Sequence, residues 1–270
     1  MPSDRYSSQL KILAFGMILA GSLATQTAYA APEEIQVYMD ELNAPGEVGL
    51  DIHTNYVPTG DPGIDYPGAQ PSVHRARFTP EFSLGLPGRF EAGFYLPLAT
   101  VDRKGTASIH GVKARLKWLA PSPSGARWFW GANVEVGYED EALSINRVKG
   151  ELKLILGAHL GRWTLASNFN TDFVVSGSQP SPVAFDLDAK IAYAINKHVK
   201  IGVESFHGLG DTRSLPDFRN REQTVYLVAD AELGRGWGIN MGVGRGFAAN
   251  PDTLIVKGIL SVPIGRRRSS

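Results

Sequence analysis

The chain has 270 residues, with 27 basic and 27 acidic side chains and no cysteine. The lack of cysteine excludes a disulfide framework and a thiolate metal centre. The balanced charge gives no reason to expect nucleic acid or an anionic surface as a partner. A soluble secreted β protein could share the 43% hydrophobic content, so the pattern along the chain has to decide the class.

The first thirty residues have the parts of a secretory signal peptide. Arg5 and Lys11 charge its start, an apolar stretch follows at 12–23, and an A-x-A cleavage site ends at Ala30. The apolar stretch is shorter than the roughly 20 residues that a membrane-spanning helix needs. We expect cleavage near Ala30; an uncleaved membrane anchor is the less favoured alternative. Cleavage removes two basic residues and one acidic residue, Asp4, which leaves 25 basic and 26 acidic residues.

Residues 31–47 form an acidic N-terminal segment. Ile35, Tyr38, Met39 and Leu42 would share one face of a short helix. Two interpretations remain open for this segment. A loose periplasmic tail is the favoured one, and the alternative is a plug inside the structure that follows.

From residue 48 onward, apolar and polar residues alternate in twelve runs. Alternation with a period of two predicts strands that have one apolar and one polar face. No later run reaches 18 uninterrupted apolar residues. Twelve such strands behind a signal peptide predict an all-β, antiparallel transmembrane barrel of the outer-membrane type over residues 48–264, followed by a basic tail at 265–270. The predicted strands lie near 48–57, 75–86, 90–98, 112–118, 127–138, 147–156, 163–173, 185–193, 199–204, 224–232, 237–244 and 254–264.

The predicted connections alternate as well. Short turns follow even-numbered strands, as at 87–88 and 161–162, and longer loops follow odd-numbered strands, as at 58–74 and 208–221. Short periplasmic turns and longer external loops are typical of outer-membrane barrels. This pattern places both termini in the periplasm.

All five tryptophans lie on the apolar register next to a predicted short turn. Indole prefers the interface between membrane and water, because its ring is apolar while its N–H needs a partner. Tryptophans gathered at one rim favour a membrane barrel over a soluble sandwich. The predicted membrane-interface residues are Trp118, Trp128, Trp130, Trp163 and Trp237.

The polar faces of the strands are predicted to line the barrel interior, where charged side chains must be hydrated or paired. Bases concentrate on strands two to six and acids on strands seven to ten, which predicts two opposed walls of opposite sign. A twelve-stranded barrel allows either an open pore or a cross-linked closed interior. The predicted lumen-lining residues are Asp51, His53, Arg75, Arg77, Glu81, Arg89, Glu91, Lys113, Arg115, Lys117, Glu135, Lys149, Lys153, Asp172, Asp186, Asp188, Glu204 and Asp230.

Catalysis has little support in the sequence. Ser205 and His207 share one strand face near the outer rim, but no orienting carboxylate or amide accompanies them. The six histidines lack ligand spacing. We therefore predict no enzyme, no metal site and no cofactor.

A glycine run on the eleventh strand resembles a nucleotide-binding motif, but no helix follows it. Two interpretations carry equal weight: removal of side-chain volume along one wall of the lumen, and bending of the strand. The run consists of Gly238, Gly242, Gly244 and Gly246.

Short stretches along the mature chain resemble the bacterial outer-membrane barrels labelled as meta-pathway phenol-degradation proteins and transporters. The resemblance implies a single barrel that passes small compounds, aromatic ones among them. The chain departs from the usual aromatic last residue of such barrels, which the assembly machinery reads, because it ends in Arg-Arg-Arg-Ser-Ser. The stretches that carry the resemblance are 34–38, 45–46, 49–56, 80–82, 90–97, 113–117, 224–228 and 242–246.

The sequence thus predicts a passive pore for small aromatic or zwitterionic solutes in the outer membrane of a Gram-negative bacterium. Its expected partners are outer-membrane lipid, the barrel-assembly machinery and a small-molecule solute, with no nucleic acid. A closed structural or ligand-binding barrel is the alternative, and an outer-membrane hydrolase comes third.

Overall fold

The computed structural model describes residues 34–64, 66–123 and 125–264. The predicted signal peptide and the predicted basic tail lie outside these residues. The described part folds into twelve antiparallel strands. They are β1 (Val48–Gly60), β2 (Ala76–Leu86), β3 (Phe90–Val101), β4 (Ala107–Leu119), β5 (Trp128–Glu139), β6 (Val148–Leu160), β7 (Trp163–Ser176), β8 (Ala184–Ala194), β9 (Val199–Asp211), β10 (Glu222–Gly234), β11 (Trp237–Ala248) and β12 (Asp252–Pro263).

The strands form one closed barrel in which each strand pairs with its neighbours in sequence. Closure is made by β1 and β12, where Asn55 lies opposite Lys257. A closed ladder leaves no unpaired strand edge, which is a requirement for a sheet in hydrocarbon. The predicted fold class and the predicted strand number are confirmed.

The apolar residues of the alternating pattern point outward. Leu154 on β6 is 41% exposed and Phe94 on β3 is 52% exposed, and similar side chains cover the outside of the other strands. The tryptophans lie at strand ends on this face, where the rings of Trp118 and Trp130 meet edge to face at 5.3 Å. Among the described residues, no helix is long and apolar enough to cross a membrane.

The connections follow the predicted alternation only in part. Turns of two to four residues follow β2, β6, β8 and β10, but two of the opposite loops are also short, at 102–106 and 249–251. Side chains close both of these loops. The Asp102 carboxylate accepts hydrogen bonds from the backbone N–H groups of Lys104 and Thr106, and Asn250 accepts one from Asp252. Such Asx turns need few residues, which explains why these loops are shorter than predicted.

Residues 34–47, here called the lumen segment, enter the barrel. They contain no helix, so the predicted helical face is wrong. Ile35, Val37 and Tyr38 are buried inside the ring of strands. Side chains of the wall bind the backbone of the segment, which offers its polar groups an alternative to helical hydrogen bonds.

Candidate functional site

Most of the predicted lumen-lining residues lie on strands with their side chains turned inward, and two lie elsewhere. Arg89 is exposed in the turn between β2 and β3, where its Nε donates to the carbonyl oxygen of Leu119 at 3.0 Å. The prediction for Arg89 is therefore wrong. Its backbone has a positive φ of 64°, which belongs to a tight turn rather than to a strand. Arg75 precedes β2 and donates to Thr100 Oγ1 at 3.1 Å.

Two cations on β4 are paired with acids on β2, β3 and β5. Arg115 donates through Nε to Glu81 at 2.6 Å and through Nη2 to Glu91 at 2.8 Å. Lys113 lies 3.4 Å from Glu135. Each cation is thus neutralised locally, because the cost of removing a charge from water is offset only by a nearby partner.

The same pairing continues through β6, β8 and β9. Lys153 lies 3.0 Å from Glu151 and 3.9 Å from Asp188. Lys190 on β8 lies 3.0 Å from Glu204, which also binds Lys257 on β12. The predicted division into one positive and one negative wall is therefore wrong, since these cations lie within 4 Å of carboxylates on β6, β8 and β9.

Tyr38 of the lumen segment contacts three separate parts of the wall. Its hydroxyl lies 2.7 Å from the hydroxyl of Tyr95 and donates to Glu135 at 3.1 Å. Its backbone N–H donates to Asn168 Oδ1 at 2.6 Å, and its carbonyl accepts from Asn168 Nδ2 at 2.9 Å. Because these partners lie on β3, β5 and β7, Tyr38 links three strands on one side of the barrel wall.

Three cations surround the ring of Tyr38. The charged groups of Lys153, Lys117 and Arg115 lie 5.0, 5.3 and 5.6 Å from its centroid. Cations over an aromatic face are attracted by the ring quadrupole. The wall therefore binds the side chain of Tyr38 in two ways: cation–π contacts hold the ring, and hydrogen bonds hold the hydroxyl group.

Lysines of the wall bind carbonyl groups of the lumen segment. Lys257 Nζ donates to the carbonyl oxygen of Ile35, and Lys117 Nζ donates to that of Glu41, both at 2.8 Å. These bonds join side chains to backbone, so the segment is not held as an additional strand.

Further polar contacts hold the last part of the lumen segment, which leads into β1. Asp40 lies 3.0 Å from His159 Nε2. The N–H of Asn43 donates to Glu91 at 2.7 Å. The N–H of Gly46 donates to the carbonyl of Gly85 at 2.8 Å, which is the first backbone bond to a strand before β1 begins.

Apolar side chains of the lumen segment pack on two small apolar clusters of the wall. Ile35 belongs to one cluster and Val37 to the other, and Phe206 contacts both. The interior therefore combines paired charges with apolar patches. The clusters are Ile35, Val57, Tyr226, Val228 and Ile255, and Val37, Tyr38, Phe129, Ile155 and Ala166.

The glycines of β11 make room for their neighbours. A Cβ on Gly244 would overlap the ring of Tyr226, and one on Gly242 would lie 3.1 Å from Cε of Lys257. The volume that these glycines free is occupied by adjacent side chains. Gly242 and Gly244 therefore leave no gap in the wall of the lumen, whereas a Cβ on Gly238 would make an ordinary contact with Ser261 at 3.5 Å.

Ser205 and His207 do not form a catalytic pair in the described part of the chain. His207 Nδ1 is hydrogen-bonded to Gln223, and no hydrogen bond connects it to Ser205. A nucleophile needs a base within hydrogen-bond reach. The geometry therefore gives no support to a hydrolase.

The barrel brings together one cluster that sequence reasoning missed. Glu34, His53 and Glu81 each offer a ligand atom, and these atoms lie within 4.8 Å of one another. His53 and Glu81 are on the adjacent strands β1 and β2, while Glu34 belongs to the lumen segment. No sequence spacing signals this cluster, because it exists only when the segment lies inside the barrel.

No protein-family model matches the chain, and no curated protein is significantly similar in sequence. The resemblance to meta-pathway phenol-degradation proteins is not confirmed and stays a prediction. Solved structures do match, and they define the class as barrels with the fold of outer-membrane channels.

Three of these solved structures are similar to the chain over most of its length. The COG4313 outer membrane channel from Pseudomonas putida F1 is 15% identical with a TM-score of 0.61, over 84% of this chain and 99% of that one. The KdgM porin is 10% identical with a TM-score of 0.55, and the NanC porin is 10% identical with a TM-score of 0.54. Each of these two matches covers 80% of this chain and 99% of the porin. At these identities the likeness concerns the fold.

Proposed function

We propose that the protein is an outer-membrane channel for small solutes, with the lumen segment as its plug. The outward apolar belt suits it to the outer membrane of a Gram-negative bacterium, where lipid surrounds the strands and the barrel-assembly machinery inserts them. The proposal draws further support from channels of the same fold, one of which, KdgM, has been solved in complex with oligogalacturonate.

The observation that carries the proposal is the way Tyr38 is held. Its contacts to the wall are side-chain hydrogen bonds and cation–ring contacts, such as those with Tyr95 and Lys153. A net hydrogen bond contributes about 0.5–1.5 kcal/mol, because water can replace either partner. A plug held by such bonds can leave without breaking the strand ladder.

The solute class follows from what the plug occupies. A ring bearing a hydroxyl group fills the space between Arg115, Lys117 and Lys153, and Ile35 and Val37 cover apolar patches beside it. A small aromatic solute with polar or zwitterionic groups would make the same kinds of contact when the plug is displaced. We therefore assign the channel to polar aromatic solutes.

Solute entry into proteoliposomes tests this assignment. Swelling rates are compared for a hydroxylated aromatic acid and an aliphatic acid of equal charge and similar size. We expect faster entry of the aromatic acid, and faster entry of both after Tyr38→Ala, because the plug then loses its central anchor. Glu41→Ala is the matched control, since the exposed Glu41 side chain makes no hydrogen bond or ion pair with the wall in the described part of the chain, and its backbone carbonyl is retained.

A closed structural barrel is the second candidate, favoured by the ion pairs between strands of the inner face. It predicts swelling at the rate of empty liposomes for every solute, in the wild type and in Tyr38→Ala alike. That result would overturn the channel proposal.

A further inference from the structure

We infer that Glu34, His53 and Glu81 form a binding site for a divalent first-row transition cation. The site would tie the lumen segment to β1 and β2, so it concerns how the plug of the proposed channel is held. Binding of the ion itself does not depend on transport.

The spacing of two of the side chains is close to that of a metal site. His53 Nε2 lies 3.1 Å from Glu81 Oε2. Two ligands at about 2.0–2.2 Å from a tetrahedral ion are separated by about 3.3–3.6 Å. An ion can therefore replace the proton between these atoms with a small adjustment of either side chain.

The third side chain, Glu34, is half-buried, and one of its carboxylate oxygens lacks the partner that a buried oxygen needs. Within the described residues, Glu34 Oε1 is inaccessible to solvent and has no hydrogen-bond partner, and the same holds for Nδ1 of His53. His53 itself is 1% exposed. A buried polar group without a partner is costly, and a cation among the three ligand atoms would remove that cost for Glu34.

The surroundings leave the ligand atoms available. Arg115 binds Oε1 of Glu81, so Oε2 of the same carboxylate remains for the ion. Such a second contact orients a ligating carboxylate. Because Arg115 also binds Glu91, its charge is shared between two acids and does not oppose the ion alone.

The ligand types indicate the class of cation. One imidazole with two carboxylates suits zinc, manganese or iron, whereas calcium and magnesium prefer oxygen ligands alone. Three protein ligands leave a position for water or for a polar group of a solute.

Zinc binding to the detergent-purified protein, prepared without a polyhistidine tag, tests the site. Zn²⁺ is titrated against a fluorescent chelator. We expect one ion per barrel and retention of that ion in a hundredfold excess of Ca²⁺ and Mg²⁺. Glu34→Gln should weaken the affinity by at least about tenfold, since it removes a charged ligand and preserves shape. Glu41→Gln, in the same segment, should leave the affinity unchanged.

Equal zinc affinity in the wild type and in Glu34→Gln, or no binding tighter than millimolar, would overturn the inference. His53→Ala gives an independent check, because loss of the imidazole ligand should weaken zinc binding even if the lumen segment shifts. Zinc binding by a barrel that passes no solute would contradict the channel proposal and leave the site standing. Solute passage by a barrel that binds no zinc would contradict the site alone.

Discussion

At the scale of single residues, adjacent positions on one strand face different solvents. Leu154 points outward and is 41% exposed, whereas Lys153 is buried inside with Glu151 as its partner. The alternation in the sequence predicts this difference, because side chains on a strand change face at every residue. Glu151, two residues earlier, shares this inner face by the same rule, whereas the approach of Asp188 on β8 depends on which inward rotamers meet.

The change Leu154→Arg should block insertion, because a cation on the lipid face near the midplane costs about 2–4 kcal/mol. Lys153→Arg is the matched control, as it places the same side chain one residue away and keeps the inward charge. Heat-modifiable mobility on gels after refolding into vesicles measures the folded fraction. Equal folding of both variants would show that the register of β6 is wrong.

At the scale of elements, the conformation of the lumen segment was the feature least predictable from the sequence. Its acidic character suggested a plug as one alternative, but the helix expected for Ile35 to Leu42 does not form. The reason lies in contacts that no local pattern contains: Asn168 binds both backbone groups of Tyr38, and Lys257 binds the carbonyl of Ile35. Long-range side chains decide the conformation of this segment.

The lumen segment packs against β2 at Gly85, and a substitution there tests how closely the two are packed. A Cβ on Gly85 would overlap the carbonyl oxygens of Asn43 and Ala44. Gly85→Ala should therefore displace the segment and raise the mean single-channel conductance, while the outward face stays unchanged. Gly238→Ala is the control on the inner face of β11, where a Cβ would lie 3.5 Å from Ser261 and makes an ordinary contact. Unaltered conductance in Gly85→Ala, with normal folding, would count against close packing of the segment there.

At the scale of the whole molecule, the fold could be predicted and the electrostatics could not. Period-two patterning, turn residues and tryptophan positions are local or nearly local signals, and they determine twelve strands and closure. The sign of the field in the lumen depends on pairs such as Arg115 with Glu81, which lie 34 positions apart. A count of bases and acids by strand therefore predicts a positive and a negative wall, whereas in the structure ion pairs neutralise these charges.

The inner face still carries carboxylates that no cation neutralises within 4 Å among the described residues. Asp172 on β7 and Asp186 on β8 are of this kind, and they lie on neighbouring strands. An unplugged barrel should therefore prefer cations, more at low salt than at 1 M, where the Debye length is about 3 Å. The double change Asp172→Asn and Asp186→Asn should move the reversal potential toward zero. Asp211→Asn is the control, because Asp211 ends β9 and its carboxylate accepts from the N–H of Ser214 in the loop that follows. An unchanged reversal potential in the double variant would mean that these carboxylates do not line the path.

Single-channel conductance in planar bilayers, before and after deletion of residues 34–47, shows whether the lumen segment plugs the barrel. We expect brief or small openings for the full chain and a larger, steady conductance for the deletion, with equal amounts of folded barrel. The ion pairs of the wall remain in the deletion, so any difference reports on the lumen segment alone. Equal conductance before and after deletion, whether both barrels are silent or both are open, would show that the lumen segment is not a plug.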